Sequence, residues 1–398
     1  MKKYATTLSR LTSARVGFGG SAREDASAHL QSASSVAACS RTKPKVDVQL
    51  CLLLIPLFAA IITIGCSVAK PAVAATGDSA HIIAAGSSFV YPIMMRWVEA
   101  YQGDHQGLRI NYQSIGSGGG IQQLKQGVLD FAASDAALDD QHLKEMPALV
   151  QIAESAGPVC ITYNLEQLKV PLNLSAKTLS GIYLGTIKNW QDPAIKKDNP
   201  RVNLPKEGIE VVYRSDGSGT TNIFTTYLAD VSPDWNSKVG KGLSVSWPLG
   251  LGGKGSEGVT GLVKQSPGAI GYVELTYAEE NKLPVAKIQN TAGKYLSPTA
   301  AGTSAAIDAF SVALGKDVRT PIVNAPASAA EAYPISGLTF LLVPKQAKDP
   351  KNAGAVKGFV QYIITAGQTP AEQMHYAKIP ASLQQIDEQL LGQVQGGS

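Results

Sequence analysis

The stretch VVYRSDGSGTTNIFTTYLA at 211–229 joins three local patterns in one short segment. Its first residues, VVYR, are largely β-branched and apolar, as in a buried strand. The residues SDGSGT that follow are small and polar, which is typical of a loop. The remainder places Ile223, Phe224, Tyr227 and Leu228 on one side of a helix. A strand, a loop and a helix in this order form the repeating unit of an α/β protein.

The same plan recurs along the chain and predicts an α/β fold for its body. A strand at 81–86 is followed by a helix over 93–102. A second strand at 108–116 leads to a helix from about Ile121 and a short strand at 130–133. Further strands are expected at 269–275 and 339–345, and a further helix is expected over 353–365.

The chain has 398 residues and a formal net charge of +4, but that charge is unevenly distributed. Residues 1–74 hold nine of the 35 Lys and Arg residues and three of the 31 Asp and Glu residues, so 26 basic and 28 acidic residues remain in 75–398. The body is therefore slightly acidic, which argues against a nucleic-acid-binding surface. Its one cysteine, Cys160, cannot form an internal disulfide, and no Cys–His spacing indicates a metal site.

An apolar segment at 50–69, LCLLLIPLFAAIITIGCSVA, follows several basic residues and precedes the small residues AVAA. This order is typical of a secretory signal, and we expect 1–74 to be a leader that is cleaved after Ala74. Two alternatives stay open. The segment is long enough to span a bilayer if it is not cleaved, and TIGC loosely resembles a lipidation motif at Cys66. Each alternative places the body outside the cytoplasmic membrane.

Three loops of one physical type lie between a predicted strand and a predicted helix: SSF at 87–89, GSGGG at 116–120 and GSGTT at 217–221. The first N–H groups of a helix have no partner within it, and the helix dipole places partial positive charge there. Glycine lets the backbone approach a ligand closely, and hydroxyl groups add donors. Taken alone, each loop is better explained as a helix cap, but three such loops favour an anion pocket.

Two ionisable residues add to this pattern. Arg214 ends the strand before DGSGT, its planar guanidinium suits a tetrahedral oxyanion, and Asp216 can pair with it and fix its orientation. Asp135 ends the predicted strand in FAASDAAL. A buried carboxylate there accepts a hydrogen bond only from an anion that still carries a proton, as phosphate does and sulfate does not. Considered alone, Asp135 is also compatible with a helix cap or a surface acid.

Six motifs, in this order, resemble the family of periplasmic phosphate-binding proteins of the high-affinity phosphate ABC importer. The motifs are AAGSSFVYP, INYQSIGSGGG, DFAASDAAL, VVYRSDGSGTTNIF, WPLGLGGKGSEG and GAIGYVEL. The resemblance runs from about residue 81 to about residue 380. It implies a type II periplasmic binding protein with two α/β lobes, joined by two crossing strands, and a ligand cleft between them. The expected lobes are 76–161 with 335–398, and 162–334, and the crossings are expected at 160–164 and 333–337.

The resemblance also implies which residues bind phosphate. They are Ser88, Phe89, Ser117, Asp135, Arg214, Ser218, Gly219 and Thr220, with Asp216 orienting Arg214. The family often has threonine where this chain has Ser88, but the hydroxyl group is kept. The implied protein is a periplasmic monomer without a cofactor, a metal or a catalytic residue. Its partners are inorganic phosphate and the transmembrane permease subunits of a phosphate ABC importer.

Three other functions remain to be compared with this one. The run GLGGKG at 250–255 matches a dinucleotide-binding spacing by count, but no βαβ unit clearly begins there. Ser117 and Ser218 lie among glycines, as a hydrolase nucleophile can, but neither lies in a G-x-S-x-G motif and no histidine lies in these loops. A receptor for sulfate or molybdate is the closest alternative, and Asp135 argues against it because a fully deprotonated anion gains nothing from a carboxylate.

Overall fold

The protein's structure is a computed structural model that describes residues 80–395. These residues lie in one compact unit, Ala72–Ser398. The predicted leader, with its apolar segment at 50–69, Cys66 and the expected cleavage after Ala74, lies outside the described residues. Within 80–395, no helix is both long and apolar enough to cross a membrane.

The described part of the chain alternates strands and helices from its beginning. The strands are β1 (His81–Gly86), β2 (Arg109–Ser114), β3 (Phe131–Ser134), β4 (Leu149–Tyr163), β5 (Asn173–Leu174), β6 (Glu210–Arg214), β7 (Leu251–Gly253), β8 (Ala269–Glu274), β9 (Lys287–Gln289), β10 (Tyr295–Leu296) and β11 (Ser336–Pro344). The helices are α1 (Tyr91–Asp104), α2 (Ser117–Lys125), α3 (Asp140–Glu145), α4 (Ala176–Tyr183), α5 (Pro193–Asp198), α6 (Gly219–Val231), α7 (Pro233–Lys238), α8 (Gly255–Gln265), α9 (Leu275–Glu280), α10 (Ala300–Ala309), α11 (Ser311–Leu314), α12 (Pro350–Ile364), α13 (Gln368–Gln373) and α14 (Ala381–Gly392).

The strands of residues 80–395 form two sheets. The larger sheet has eight strands in the order β2-β1-β3-β11-β4-β8-β6-β7, and the smaller has the order β10-β9-β5. The strand β1 is parallel to β2 and β3, and β6 is parallel to β7 and β8. Parallel neighbours end at the same edge of a sheet, so the loops after β1, β2 and β3 lie together, as do those after β6 and β7.

The long strand β4 connects the two halves of the large sheet. Its residues 149–158 pair with β11, and its residues 159–163 pair with β8. Gly157 and Pro158 lie where the partner changes. Earlier in the strand, Thr339 faces Ser155 while Phe340 faces Ala153, so Glu154 has no partner residue and forms a β-bulge.

Helices cover the sheet with aromatic and aliphatic side chains. The indole of Trp97 in α1 is fully buried and donates a hydrogen bond to Gly367 O at 2.7 Å. Phe131 of β3 and Phe359 of α12 lie with their ring centroids 6.0 Å apart. Phe89 meets Tyr376 edge to face at 6.1 Å. This packing anchors the loop that follows β1.

Several predicted boundaries are wrong by a few residues; β11 and α12, for example, each begin three residues earlier than expected. Two of the differences have a clear cause. The helix expected from about Ile121 begins at Ser117, because the glycines after Ser117 are helical themselves. Glycine is required at 120, where an added Cβ would lie 2.6 Å from Gly86 Cα. The strand expected at 130–133 is Phe131–Ser134, because the side chain of Asp130 instead accepts a hydrogen bond from Ile83 N at 2.8 Å. The division into lobes 76–161 with 335–398, and 162–334, stays a prediction.

Candidate functional site

Four loops, each leading from a strand into the first turn of a helix, come together; two follow β1 and β2 in one half of the large sheet, and two follow β6 and β7 in the other half. They precede α1, α2, α6 and α8. Gly118 N in α2 donates to Gly217 O in the loop before α6 at 2.9 Å. An added Cβ at Gly118 would lie 3.1 Å from Gly217 Cα, so glycine permits this close approach. The first turns of four helices of nine or more residues therefore converge.

Arg214, at the end of β6, is buried and held in one orientation. Its Nε donates to Asp216 Oδ1 at 2.8 Å, and its Nη2 donates to Asp216 Oδ2 at 2.5 Å. Asp216 Oδ1 also accepts from Gly255 N, the first N–H of α8, at 2.9 Å. The other terminal nitrogen, Nη1, lies 3.4 Å from the hydroxyl oxygens of both Thr220 and Ser256. The sequence predicts this pairing of Asp216 with Arg214, and the role of Asp216 in orienting Arg214 for a ligand stays a prediction.

The two charges of this pair stabilise each other. Burial lowers the pKa of Arg214, but the hydrogen bonds and negative charge of Asp216 outweigh that effect and leave the pKa raised. Burial raises the pKa of Asp216, and its hydrogen bonds to Arg214 and the charge of that residue more than compensate, so the pKa is lowered. Both groups are therefore ionised at neutral pH.

Asp135 follows β3 and lies among hydroxyl groups. Ser87 Oγ donates to its Oδ1 in a short hydrogen bond, and Thr220 Oγ1 donates to its Oδ2 at 3.2 Å. Thr220 thus lies between the carboxylate of Asp135 and the guanidinium of Arg214. Burial raises the pKa of Asp135 to about 6, against the Ser87 hydrogen bond and the positive charge of Arg214, which both lower it.

Ser117 joins two of the loops. Its Oγ accepts from Asp135 N at 3.2 Å and from Gly219 N at 3.1 Å. A Cβ added at Gly219 would lie 2.6 Å from that same Oγ and from Asp135 Cβ. Gly219 is therefore needed for α6 to approach the Asp135 loop. The hydroxyl hydrogen of Ser117 is still available to a ligand, because both contacts use its oxygen as the acceptor.

The loop before α1 contributes through both of its serines. Ser88 Oγ lies 2.9 Å from Ser256 Oγ and accepts from Ser256 N at 3.1 Å. Phe89 N donates to Ser87 Oγ at 2.9 Å, while its ring is buried in the core. Tyr277 fixes this loop by donating to Ser88 O at 2.7 Å.

Ser218 is placed differently from the other predicted residues. It is the N-cap of α6, and its Oγ accepts from Thr221 N at 3.1 Å. This is the helix-cap interpretation that the sequence left open for each loop. Among the hydrogen bonds of residues 80–395, its side chain makes none to the other predicted site residues, although the residue is buried beside them.

The structure thus brings the predicted residues into one buried cluster, and it adds two that the sequence analysis missed. The first is Ser87, the neighbour of Ser88, whose hydroxyl donates to Asp135. The second is Ser256 at the start of α8, which contacts both Ser88 and Arg214. The signal for Ser256 was present in the sequence, because GKGSEG is a fourth glycine-rich loop before a helix.

This cluster is suited to a small oxyanion. It combines helix N-termini and several hydroxyl groups with one guanidinium, the carboxylate of Asp216 that pairs with it, and the carboxylate of Asp135. Asp135 also lines a cavity of about 180 Å³ with Lys241 and with Arg319, which is ion-paired with Asp140 and Asp317. Among the described residues, no group of three or more His, Cys, Asp or Glu is arranged to hold a metal ion.

Comparison with known proteins gives consistent relatives. The sequence pattern of the PBP superfamily domain matches residues 71–366. The chain is 42% identical over 306 residues to "Phosphate-binding protein PstS" of Xylella fastidiosa. The aligned region covers 77% of this chain and 83% of that protein. The chain is 39% identical over 303 residues to the protein of the same name in Haemophilus influenzae, which covers 76% of this chain and 90% of that protein.

A solved structure supports the fold in the same way. The crystal structure of a phosphate binding protein from Stenotrophomonas maltophilia superposes with a TM-score of 0.57, covering 77% of this chain and 92% of that one at 18% identity. At this identity the likeness concerns the fold alone. Together with the superfamily match, it confirms the predicted α/β fold class of a periplasmic binding protein.

Proposed function

Because the chain belongs to the PstS family of phosphate-binding proteins within the PBP superfamily, we propose that it binds inorganic phosphate for a phosphate ABC importer. The ligand would lie among the four converging loops. Its partners would be phosphate and the permease subunits of that importer. We further propose that it acts as a monomer in the periplasm, after export.

The observation that carries this proposal is the position of Thr220 between Arg214 and Asp135. Its hydroxyl lies 3.4 Å from the guanidinium and 3.2 Å from the carboxylate, and both charged groups are buried. A guanidinium alone attracts any oxyanion. A carboxylate in the same cluster repels an anion unless that anion carries a proton to donate. Phosphate carries such a proton at neutral pH, and sulfate does not.

The proposed ligands are those named from the sequence. Ser88, Ser117, Ser218 and Thr220 would offer hydroxyl groups, and Phe89 and Gly219 would offer backbone N–H groups. In the structure, the N–H groups of Phe89 and Gly219 are bonded to Ser87 and Ser117. We propose that phosphate oxygens replace these acceptors. We also propose that Ser87 orients Asp135, and that Ser256 orients Ser88 and Arg214.

We also propose that the protein is a receptor and not an enzyme. The histidines of the body, at 81, 105, 142 and 375, all lie away from the four loops in sequence. His142 contacts Asp139, and His375 contacts Glu279. The hydrogen bonds described for the serines of the cluster involve no histidine, so they give no support for the imidazole base that a serine hydrolase needs. No release of p-nitrophenol from p-nitrophenyl phosphate or acetate is expected above background.

Calorimetric titration of the purified protein with phosphate, arsenate and sulfate tests the main proposal. Phosphate and arsenate should bind, and sulfate should not. In Asp135→Asn the carboxylate becomes an amide that can also donate, so discrimination against sulfate should weaken. Asp130→Asn is the matched control, because Asp130 is a buried acid at the other end of β3. A parent protein that binds no phosphate refutes the function, and an Asp135→Asn variant that excludes sulfate fully refutes the role of Asp135.

A further inference from the structure

Glu154 is a buried acid that the proposed phosphate site does not use. It lies at the β-bulge of β4 and has no exposed surface. Neither of its carboxylate oxygens has a hydrogen-bond partner among the described residues. The hydroxyl of Thr339, across the bulge on β11, donates instead to Ser155 O at 3.2 Å. An ionised carboxylate without donors is very costly in a protein interior, so Glu154 holds a proton.

The sheet places Glu154 near Asp135. Ser134 faces Phe340 on β11, and Phe340 faces Ala153 on β4. The strands β3 and β4 are both antiparallel to β11, so the next residue on each, Asp135 and Glu154, continues in the same direction. Their backbones are separated by the width of two strand spacings, about 10 Å.

Polar and titratable groups from β2, α13 and α14 lie around Glu154. Burial raises the pKa of Tyr112 of β2 well above its ordinary value, and the charges of Glu154 and Asp135 raise it further. The Tyr112 hydroxyl donates to Ser87 O at 2.8 Å. Gln368 of α13 donates to the Glu154 backbone oxygen at 2.9 Å. Asp387 of α14 accepts from Ala153 N at 2.9 Å. Burial raises the pKa of Glu154 well above its ordinary value, and the negative charge of Asp135 raises it further.

We propose that Glu154 is a positioning residue of the phosphate site, which must keep its proton for a dianion to be held beside Asp135. This inference rests on the proposed function. The bound anion adds negative charge close to Asp135, so Glu154 holds its proton more firmly in the complex than in the free protein. By linkage, the affinity for phosphate falls as the pH rises through the range in which Glu154 ionises in the free protein. In that range, binding takes up a proton at Glu154.

Calorimetric titration with inorganic phosphate tests this inference, using the parent, Glu154→Gln and Asp387→Asn. Titrations run from pH 6 to pH 10, in two buffers with different ionisation enthalpies, so that proton uptake is measured directly. Relative to Glu154→Gln, the parent should lose up to about tenfold in affinity per pH unit on the alkaline side, and it should take up as much as one additional proton per phosphate. Asp387→Asn removes another buried acid with an unpartnered oxygen, and its profile should follow the parent.

Two results overturn the inference while leaving phosphate binding intact. One is a pH profile and proton uptake that are the same in Glu154→Gln as in the parent. The other is an Asp387→Asn profile that shifts as much as that of Glu154→Gln. Carboxyl carbon-13 NMR of the parent gives a check that needs no variant, since Glu154 should be protonated at neutral pH with and without phosphate. An ionised Glu154 contradicts the inference, and a parent without phosphate binding overturns both proposals.

Discussion

At the scale of single residues, Arg214 is held in place by protein groups on its own side of the site. Asp216 accepts hydrogen bonds from two nitrogens of Arg214, and the first N–H of α8 donates to Asp216. The guanidinium is therefore fixed before any anion arrives. Fixed donors lose little conformational freedom on binding, which increases affinity.

Removing the Arg214 guanidinium should weaken phosphate binding severely. Arg214→Ala leaves the buried carboxylate of Asp216 without its cation and the anion without its only arginine partner in the cluster. A loss of about 2–5 kcal/mol in binding free energy is expected, as for other buried charge pairs. Calorimetry measures it directly. Arg96→Ala, which removes an exposed ion pair to Glu99, should leave the phosphate affinity unchanged. If Arg214→Ala binds phosphate as tightly as the parent does, Arg214 is not a phosphate ligand.

Asp387 should make the stability of the ligand-free protein depend on pH. Burial raises its pKa to about 8, against the hydrogen bond from Ala153 N, and the unfolded chain has the ordinary value of 3.8. The folded state thus binds this proton more tightly, so stability falls as the pH rises from about 4 to about 8. In Asp387→Asn this fall is absent. The difference in unfolding free energy between variant and parent should widen by up to about 1.4 kcal/mol per pH unit.

Denaturant unfolding of both proteins across this pH range measures the difference. Asp317→Asn is a suitable control, because Asp317 pairs with Arg319 at the surface and its pKa is lowered, chiefly by that hydrogen bond. As the pH rises, the unfolding free energy of Asp317→Asn should not increase relative to that of the parent. A constant gap for Asp387→Asn between pH 4 and pH 8 would contradict the expectation.

The sequence could identify most of the site at this scale, but not its details. Arg214, Asp216 and Thr220 are close together in the chain, so their local spacing already suggests their contacts. Ser87 and Ser88 are adjacent and identical in type, and only the twist of the loop decides which one meets Asp135. Ser256 contacts a residue 168 positions away, and no local pattern encodes that contact.

At the scale of elements, the site depends on how closely helix N-termini approach one another. Glycine is the residue at each closest point between the loops before α2 and α6, and at the start of α6 itself. The close approach explains why these loops are rich in glycine. At Gly219 the reason is the lack of space for a Cβ, and not an unusual backbone conformation. The same glycines misled the prediction for α2, since glycine ordinarily disfavours a helix.

Adding one methyl group at Gly219 should separate α6 from the Asp135 loop. Gly219→Ala places a Cβ 2.6 Å from Asp135 N and from Ser117 Oγ. The loops must move apart, and a cost of about 1–3 kcal/mol in phosphate binding is expected. Gly261→Ala is the matched control, because Gly261 lies in α8 with nothing within 4 Å of its added Cβ. Equal phosphate affinity for the two variants in calorimetry would rule out this steric account.

At the scale of the whole molecule, contacts across the site link the two halves of the large sheet. Ser114 at the end of β2 donates to Glu257 of α8 at 3.0 Å, and Ser88 meets Ser256. A ligand held by both halves would stabilise these contacts. The alternation of strands and helices was sufficient to predict the fold class, because each unit is local. The order of strands in the sheet was not, since β11 pairs with β4 across almost 200 residues of chain.

Phosphate should therefore raise the thermal stability of the folded protein. A ligand that binds only the native state adds about 4 kcal/mol at a concentration of roughly 1,000 times its Kd. Scanning calorimetry should show the Tm rising by several degrees with phosphate. Sulfate at the same ionic strength is the control and should not reproduce the rise. Identical shifts with both anions would indicate a general salt effect in place of specific binding.

The continuity of β4 has a consequence for how this molecule can be taken apart. One uninterrupted backbone supplies the neighbour of β11 along its first part and the neighbour of β8 along its second. If the gene were divided next to Gly157 and Pro158, one of the two fragments would have an unpaired strand edge and an exposed hydrophobic core. Separately expressed fragments should aggregate, whereas the intact polypeptide should melt in a single cooperative step.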